Sequence, residues 1–302
     1  MTLRFWIGVG LICLAGCQRD TPEAVPPPPA LPPLKTVAVP PNTPEANAAI
    51  EAAIRAAAKK PEGELTAADL TGIKRLTVNR AEITDLQPFA ALTGLTRLDL
   101  EANQITDLSP LVGLTRLRTL ALSGNAISDL TPLSRLPELV SLRLESNRIT
   151  DLAVVQYLPE LRELLLAENE IADLAPLKPL VKLRELNLSR NRVAKLGPVG
   201  QLPGLKVLVL THNQIPNAEL NTLSAHTGVG ALLIGYNPIT DIKPLAGMSG
   251  LGELDLSGTD IQDLSPILKL KEMRELFLYG EAFDPAKIEA LEKQMPDCDT
   301  HY

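Results

Sequence analysis

From Ile73 onward the chain repeats one phrase of 22 residues, and that period constrains the fold more tightly than any other feature. A clear copy reads Leu95-Thr-Arg-Leu98-Asp-Leu100-Glu-Ala-Asn103-Gln-Ile105-Thr-Asp107-Leu108-Ser-Pro110-Leu111. The phrase restarts at Leu117, Leu139, Leu161, Leu183 and Leu205, at Val229 after one 24-residue copy, and again at Leu251 and Met273. Self-similarity at a fixed short period specifies stacked units sharing one continuous core, so the 302 residues are read as a single solenoid and not as two domains. Only 3% of residues are aromatic, so leucine must fill that core.

Each half of the phrase predicts its own local structure. Leucines at the fourth and sixth positions alternate with variable residues, the period of a short strand with one buried face. Strands from successive copies then stack in parallel, about 4.8 Å apart. Asparagine recurs at the ninth position (Asn103, Asn125, Asn147, Asn169, Asn191, Asn213, Asn237), where an amide that donates and accepts satisfies turn backbone and reaches the next copy. Ala81 and Thr259 interrupt that ladder. The closing Asp-Leu-x-Pro-Leu is too short for a long helix and suits a turn or 3₁₀ segment, with the aspartate bonding local backbone.

The flanks differ from the repeats. Arg4 precedes an apolar run from Phe5 to Gly16, shorter than the roughly 20 residues a spanning helix needs, so residues 1–16 read as a signal peptide. Residues 17–42 are dense in proline (Pro26 to Pro29, Pro32, Pro33, Pro40, Pro41) and read as an extended tether, reaching roughly 75 Å at about 3.1 Å per residue. Thr43-Pro44-Glu45 opens an alanine-rich helix running to about Lys59-Lys60, and Leu65 to Leu70 opens a second, so residues 43–72 form a helical N-terminal cap. Residues 73–280 hold the repeats. Residues 281–302 hold a C-terminal helical cap, a helix from Asp284-Pro285 to Met295, because a solenoid end left bare exposes apolar surface.

Two resemblances follow from these residues. Leu14-Ala15-Gly16-Cys17 resembles the lipobox of bacterial lipoproteins, which implies lipid attachment at Cys17. Several acyl chains on one residue hold a protein firmly on its membrane. Gln18 stands where an aspartate resembles the inner-membrane retention signal, which implies the outer membrane in a Gram-negative cell. The repeat, LxxLxLxxNxIxDLxPLxxL, resembles the internalin-like branch of the leucine-rich repeat family over about residues 65–302. That resemblance implies an α/β horseshoe with a parallel sheet on its concave face, and a general protein-recognition scaffold.

Candidate chemistry is sparse. The histidines, His212, His226 and His301, lack ligand-like spacing, and no nucleophile, zinc or phosphate-loop phrase occurs. The column Asp85, Asp107, Asp129, Asp151, Asp173 reads as turn formers, so no metal, cofactor or catalytic residue is assigned. A net charge of −7 without clustered bases argues against nucleic acid. With Cys13 in the signal and Cys17 lipidated, Cys298 is the one remaining thiol, and no intrachain disulfide is possible.

Binding is instead sought at the variable strand positions. The N-terminal ones (Arg75, Arg97, Asp99, Glu101, Arg143, Glu145) are charged in both signs and are expected to pair across strands. Further along, Leu165, Val207, Val209 and Leu233 are apolar, with His212, Tyr236, Phe277 and Tyr279 nearby in phase, and these eight are the candidate ligand-binding residues. The lengthened copy is expected to form a helical turn capped by Asn217 beside them. The sequence therefore reads as a lipid-anchored envelope protein whose concave face binds another protein or a surface polymer. The alternative is a structural protein linking membrane to cell wall.

Overall fold

In a computed structural model the described residues are 30–35, 38–280 and 283–302. The signal segment, Cys17 and the first part of the tether lie outside them. Helices α1 (Pro44–Ala58) and α2 (Ala67–Gly72) precede ten strands of three residues each. These are β1 (Arg75–Thr77), β2 (Arg97–Asp99), β3 (Thr119–Ala121), β4 (Ser141–Arg143), β5 (Glu163–Leu165), β6 (Glu185–Asn187), β7 (Val207–Val209), β8 (Ala231–Leu233), β9 (Glu253–Asp255) and β10 (Glu275–Phe277). Helix α3 (Pro285–Glu292) and a last strand, β11 (Asp299–His301), complete the chain. All eleven strands form one parallel sheet in sequence order, the expected solenoid.

The phrase explains why. Leu98 and Leu100 are fully buried while Arg97 and Asp99 between and before them face outward, and the same alternation recurs copy after copy. Leucines of the return segments, such as Leu108, Leu111 and Leu114, close the other side of the same core. In Asp-Leu-x-Pro-Leu the aspartate accepts the amide two residues on, as in Asp107 Oδ1 with Ser109 N (2.9 Å) and Asp129 Oδ1 with Thr131 N (2.8 Å). Proline then sits in the first turn of a 3₁₀ segment, where its missing N–H costs nothing.

The asparagine ladder runs backward along the chain. Asn191 Nδ2 donates to Leu166 O of the preceding copy (2.9 Å) and to Leu188 O of its own (3.1 Å), and its Oδ1 accepts Ile171 N (2.9 Å). Leu188 O in turn accepts from Asn213 Nδ2 (2.9 Å), so consecutive asparagines share carbonyls. Asn103 begins the ladder by accepting Ala81 N and Ile83 N. Thr259 ends it: its hydroxyl reaches Leu256 O alone, and Ile239 N turns to Asn237 O instead.

The caps follow from local chemistry. Thr43 accepts Ala46 N to start α1, and Lys59 ends it in the left-handed region. Thr66 and Asp69 form a capping box at α2, and a hydrogen bond from Lys60 with the Thr66 amide lowers the Asp69 carboxyl to about 2. Ile50 and Ile54 of α1 and Ile288 and Leu291 of α3 join the repeat core, covering its two ends. The C-terminal region differs from expectation: α3 stops at Glu292, and β11 pairs with β10, Leu276 beside Thr300. Polar Asp299-Thr300-His301 has no strand signature of its own, and the open edge of β10 supplies the pairing. Cys298 is buried just before β11, and burial, then Asp299, pushes its thiol up, which disfavours the nucleophilic thiolate.

Two other expectations change. Asn217 opens the 3₁₀ segment Asn217–Thr222 without capping it; its Oδ1 accepts Thr240 N and Asp241 N of the next copy. The described end of the tether is likewise engaged with the repeats. Asn42 Oδ1 accepts Thr84 N and Asp85 N (both 2.9 Å), Pro40 O accepts Thr84 Oγ1 (2.9 Å), and Pro32 O accepts Arg135 Nη2 (3.3 Å). Asn42 does for the first copy what Asn217 does for the eighth.

Candidate functional site

The register sorts the outward-facing residues into two rows. One runs Glu163, Glu185, Val207, Ala231, Glu253, Glu275, Asp299 across β5 to β11. The other runs Leu165, Asn187, Val209, Leu233, Asp255, Phe277, His301. Val207, Val209, Ala231 and Leu233 are therefore a contiguous half-buried apolar block on β7 and β8. Asn187 separates Leu165 from it, and Asp255 separates Phe277.

Beside the block stands a column at the eighth phrase position, where every copy turns the backbone left-handed: Ala102, Ser146, Glu168, Arg190, His212 and Tyr236 all have φ between 52° and 58°. Such a conformation costs an L-residue about 1–2 kcal/mol, and the repeat imposes it nonetheless. It lines the side chains up along the sheet edge. Ser146 Oγ donates to Glu168 Oε2 (2.7 Å), Glu168 faces Arg190 (3.8 Å), and the His212 and Tyr236 rings stack at 4.1 Å and 5°. Tyr236, 47% exposed, lies flat over Gly258, where a Cβ would stand 2.4 Å from the ring. Burial, then Arg190, lowers the His212 imidazole below 6.5, while Asp255 opposes them. A second aromatic pair forms at the C-terminal end, Phe277 stacked on His301 at 4.6 Å with Tyr279 tilted beside it at 6.4 Å.

Of the eight candidate residues, Val207, Val209 and Leu233 are register neighbours on β7 and β8, and His212 and Tyr236 stack on each other in the turns that follow those strands. The structure sets Phe277 and Tyr279 in a separate group and leaves Leu165 apart. Ala231, Gly258 and His301 are additions. Ala231 was legible from its parity with Val207, and the small residue at 258 from its place after Tyr236. His301 had no signal, since its row is reached only through β11.

The N-terminal half of the face is built otherwise. Arg143 pairs with Glu163 (2.8 Å), which raises the guanidinium pKa, while Glu145 is bonded by Ser123 Oγ. Arg75 lies beside Arg97 in register, and the six expected charges form no close ion pair with one another, although Arg143 and Arg97 act favourably on Glu101 from farther off. Burial, then Asp99 and Glu145, raises the Glu101 carboxyl. Among the described residues no three His, Cys, Asp or Glu side chains group as metal ligands, and the aspartate column is spent on its turns.

An open parallel sheet, 3₁₀ returns and an amide ladder define a solenoid that presents one extended concave face, an architecture of recognition scaffolds. Sequence profiles for leucine-rich repeats match residues 71–127, 111–197 and 181–224. Among solved structures, an internalin of Listeria monocytogenes is similar at a TM-score of 0.71 and 27% identity, covering 85% of this chain and 82% of that one. Internalin C2 of the same organism is similar at 0.61 and 30% identity, covering 81% and 100%. The chain belongs to the leucine-rich repeat family and is of the internalin type. No curated protein matches it.

Proposed function

We propose that this protein is a lipid-anchored recognition module of the bacterial envelope, holding another protein against the block of Val207, Val209, Ala231 and Leu233. The observation that carries this reading is the block itself. Apolar residues occur singly at other outward sheet positions, as at Leu165 and Phe277, but only β7 and β8 bring four of them together, and such a contiguous group marks a contact site. The stacked His212 and Tyr236 add a rigid amphipathic wall, the residue type enriched where interfaces concentrate their energy. The leucine-rich scaffold supports binding over catalysis, because its outward residues form no nucleophile and base pair.

Lipid attachment at Cys17 and an outer-membrane location rest on the lipobox resemblance. No helix among the described residues is long and apolar enough to cross a membrane, so the anchor would be the acyl chains. Mass spectrometry of the mature N-terminus is expected to find acylated Cys17, with Cys17→Ser released from membranes. For the contact site, affinity capture from envelope extract is expected to retrieve a partner with the native chain and to lose it with Val209→Asp plus Leu233→Glu. Equal capture by a variant whose circular dichroism is unchanged would sink the reading.

A further inference from the structure

The apolar block sits at the border of a one-signed field. On its C-terminal side the two rows place Glu253, Asp255, Glu275 and Asp299 on three consecutive strands, and Glu185 flanks its other side. Glu253, Glu275 and Asp299 are direct neighbours in register, an arrangement that opposes folding because like charges side by side repel. None of these five carboxylates takes part in an ion pair among the described residues, whereas Glu163 and Glu168 earlier on the same sheet are paired with Arg143 and Arg190. The nearby bases Lys206 and Arg274 donate to backbone carbonyls, Gly228 O and Met273 O (both 3.1 Å), and form no ion pair with these carboxylates. Asp255 accepts Ser257 N with one oxygen, and its carboxylate lies over Gly235, between Leu233 and Phe277.

We infer that the partner docked here is a protein segment carrying an aliphatic or aromatic side chain followed by lysine or arginine: the apolar side chain seats on Val207, Val209, Ala231 and Leu233, and the cations lie over Glu253, Asp255 and Glu275. The inference deepens the recognition reading and rests on it. Its physical basis is complementarity. A cationic segment relieves the repulsion along Glu253, Glu275 and Asp299, and the same carboxylates repel acidic competitors. The stacked rings of His212 and Tyr236, in the turns that follow β7 and β8, offer a further apolar contact to the same segment. The one-signed field also draws a cationic partner from a distance, an effect that weakens as salt rises.

A randomised twelve-residue peptide library displayed on phage, selected on the full chain and counter-selected on Leu233→Glu, tests it, with Leu233→Ser as a milder second variant. Circular dichroism confirms that each variant is folded. The expected peptides depend on Leu233 and carry several Lys or Arg beside one apolar residue. They weaken about tenfold with Glu253→Gln plus Glu275→Gln, and less so as ionic strength rises. Leu233-dependent peptides that are neutral or acidic, or that ignore the glutamine variant, overturn the cationic partner while leaving the apolar site standing. If no Leu233-dependent peptide emerges, the site and the partner fall together.

Discussion

The first five repeats and the last four share a backbone and differ in what they do with it. In the N-terminal half the outward face mixes signs, Arg143 holds Glu163, and Pro32, Pro40 and Asn42 bond to the outside of the third and first copies. In the C-terminal part the face is apolar and then carries an acidic row beside the Phe277 and His301 pair, the ladder ends at Thr259, and the sheet closes on a strand, β11, that has no repeat of its own. Ladder amides run through both stretches as far as Asn237, but the first pairs its outward charges and takes up bonds from the linker, whereas the last leaves its outward carboxylates without ion pairs. A solenoid is stabilised by nearest neighbours, so it can concentrate rigidity in one stretch and exposed valences in another without changing fold.

The sharpest way to break this contrast is to remove a middle rung. Asn191→Ala orphans the buried Ile171 N–H and removes one of two donors from Leu166 O and Leu188 O, at an expected loss on the order of 3 kcal/mol in denaturant unfolding. Thr259→Val, which removes a single bond to Leu256 O, is expected to cost about 1 kcal/mol. Equal losses would mean that a ladder amide is worth no more than the threonine that ends the ladder. A smaller effect is expected of Arg143→Met. Both partners of its pair with Glu163 remain partly exposed, so the loss should be about 0.5 kcal/mol, with peptide binding at Leu233 untouched. Weakened binding would show that the N-terminal charges belong to the site.

The smallest expected effect is on protons. His212 is held below 6.5 in the folded chain, so folding favours the neutral ring. The stability that depends on it is present above about pH 6.5 and declines as pH falls through the lowered value. A proton NMR titration should find His212 titrating below 6.5, and Arg190→Gln should move it upward, because Arg190 is a cause of the depression second to burial. A titration at 6.5 or above would remove the column's electrostatic coupling.

Much of the scaffold was legible because each copy states its own physics: leucine parity gives the strand, aspartate and proline give the return, and Thr43-Pro44 and Asp284-Pro285 start helices. What escaped depends on neighbours. β11 forms because β10 has an open edge, not because Asp299-Thr300-His301 prefers extension. Asn42 is meaningful only where Thr84 and Asp85 present unbonded amides. At the site, the parity of Leu165 and Phe277 was visible, but their separation by Asn187 and Asp255 follows from register across copies. His212 and Tyr236 stack because their positions are left-handed, a backbone state that neither residue announces.

The proline-rich segment sets a load path. Tension applied upstream of Pro32 meets the third copy first, at Arg135 and at the Lys35 contact with Asp129, and only then the first copy, at Thr84 and Asp85, before it reaches α1. These contacts are few and individually weak, so such tension would break them before it reached the repeat core. The helical end and the sheet behind it are shielded until those contacts give way.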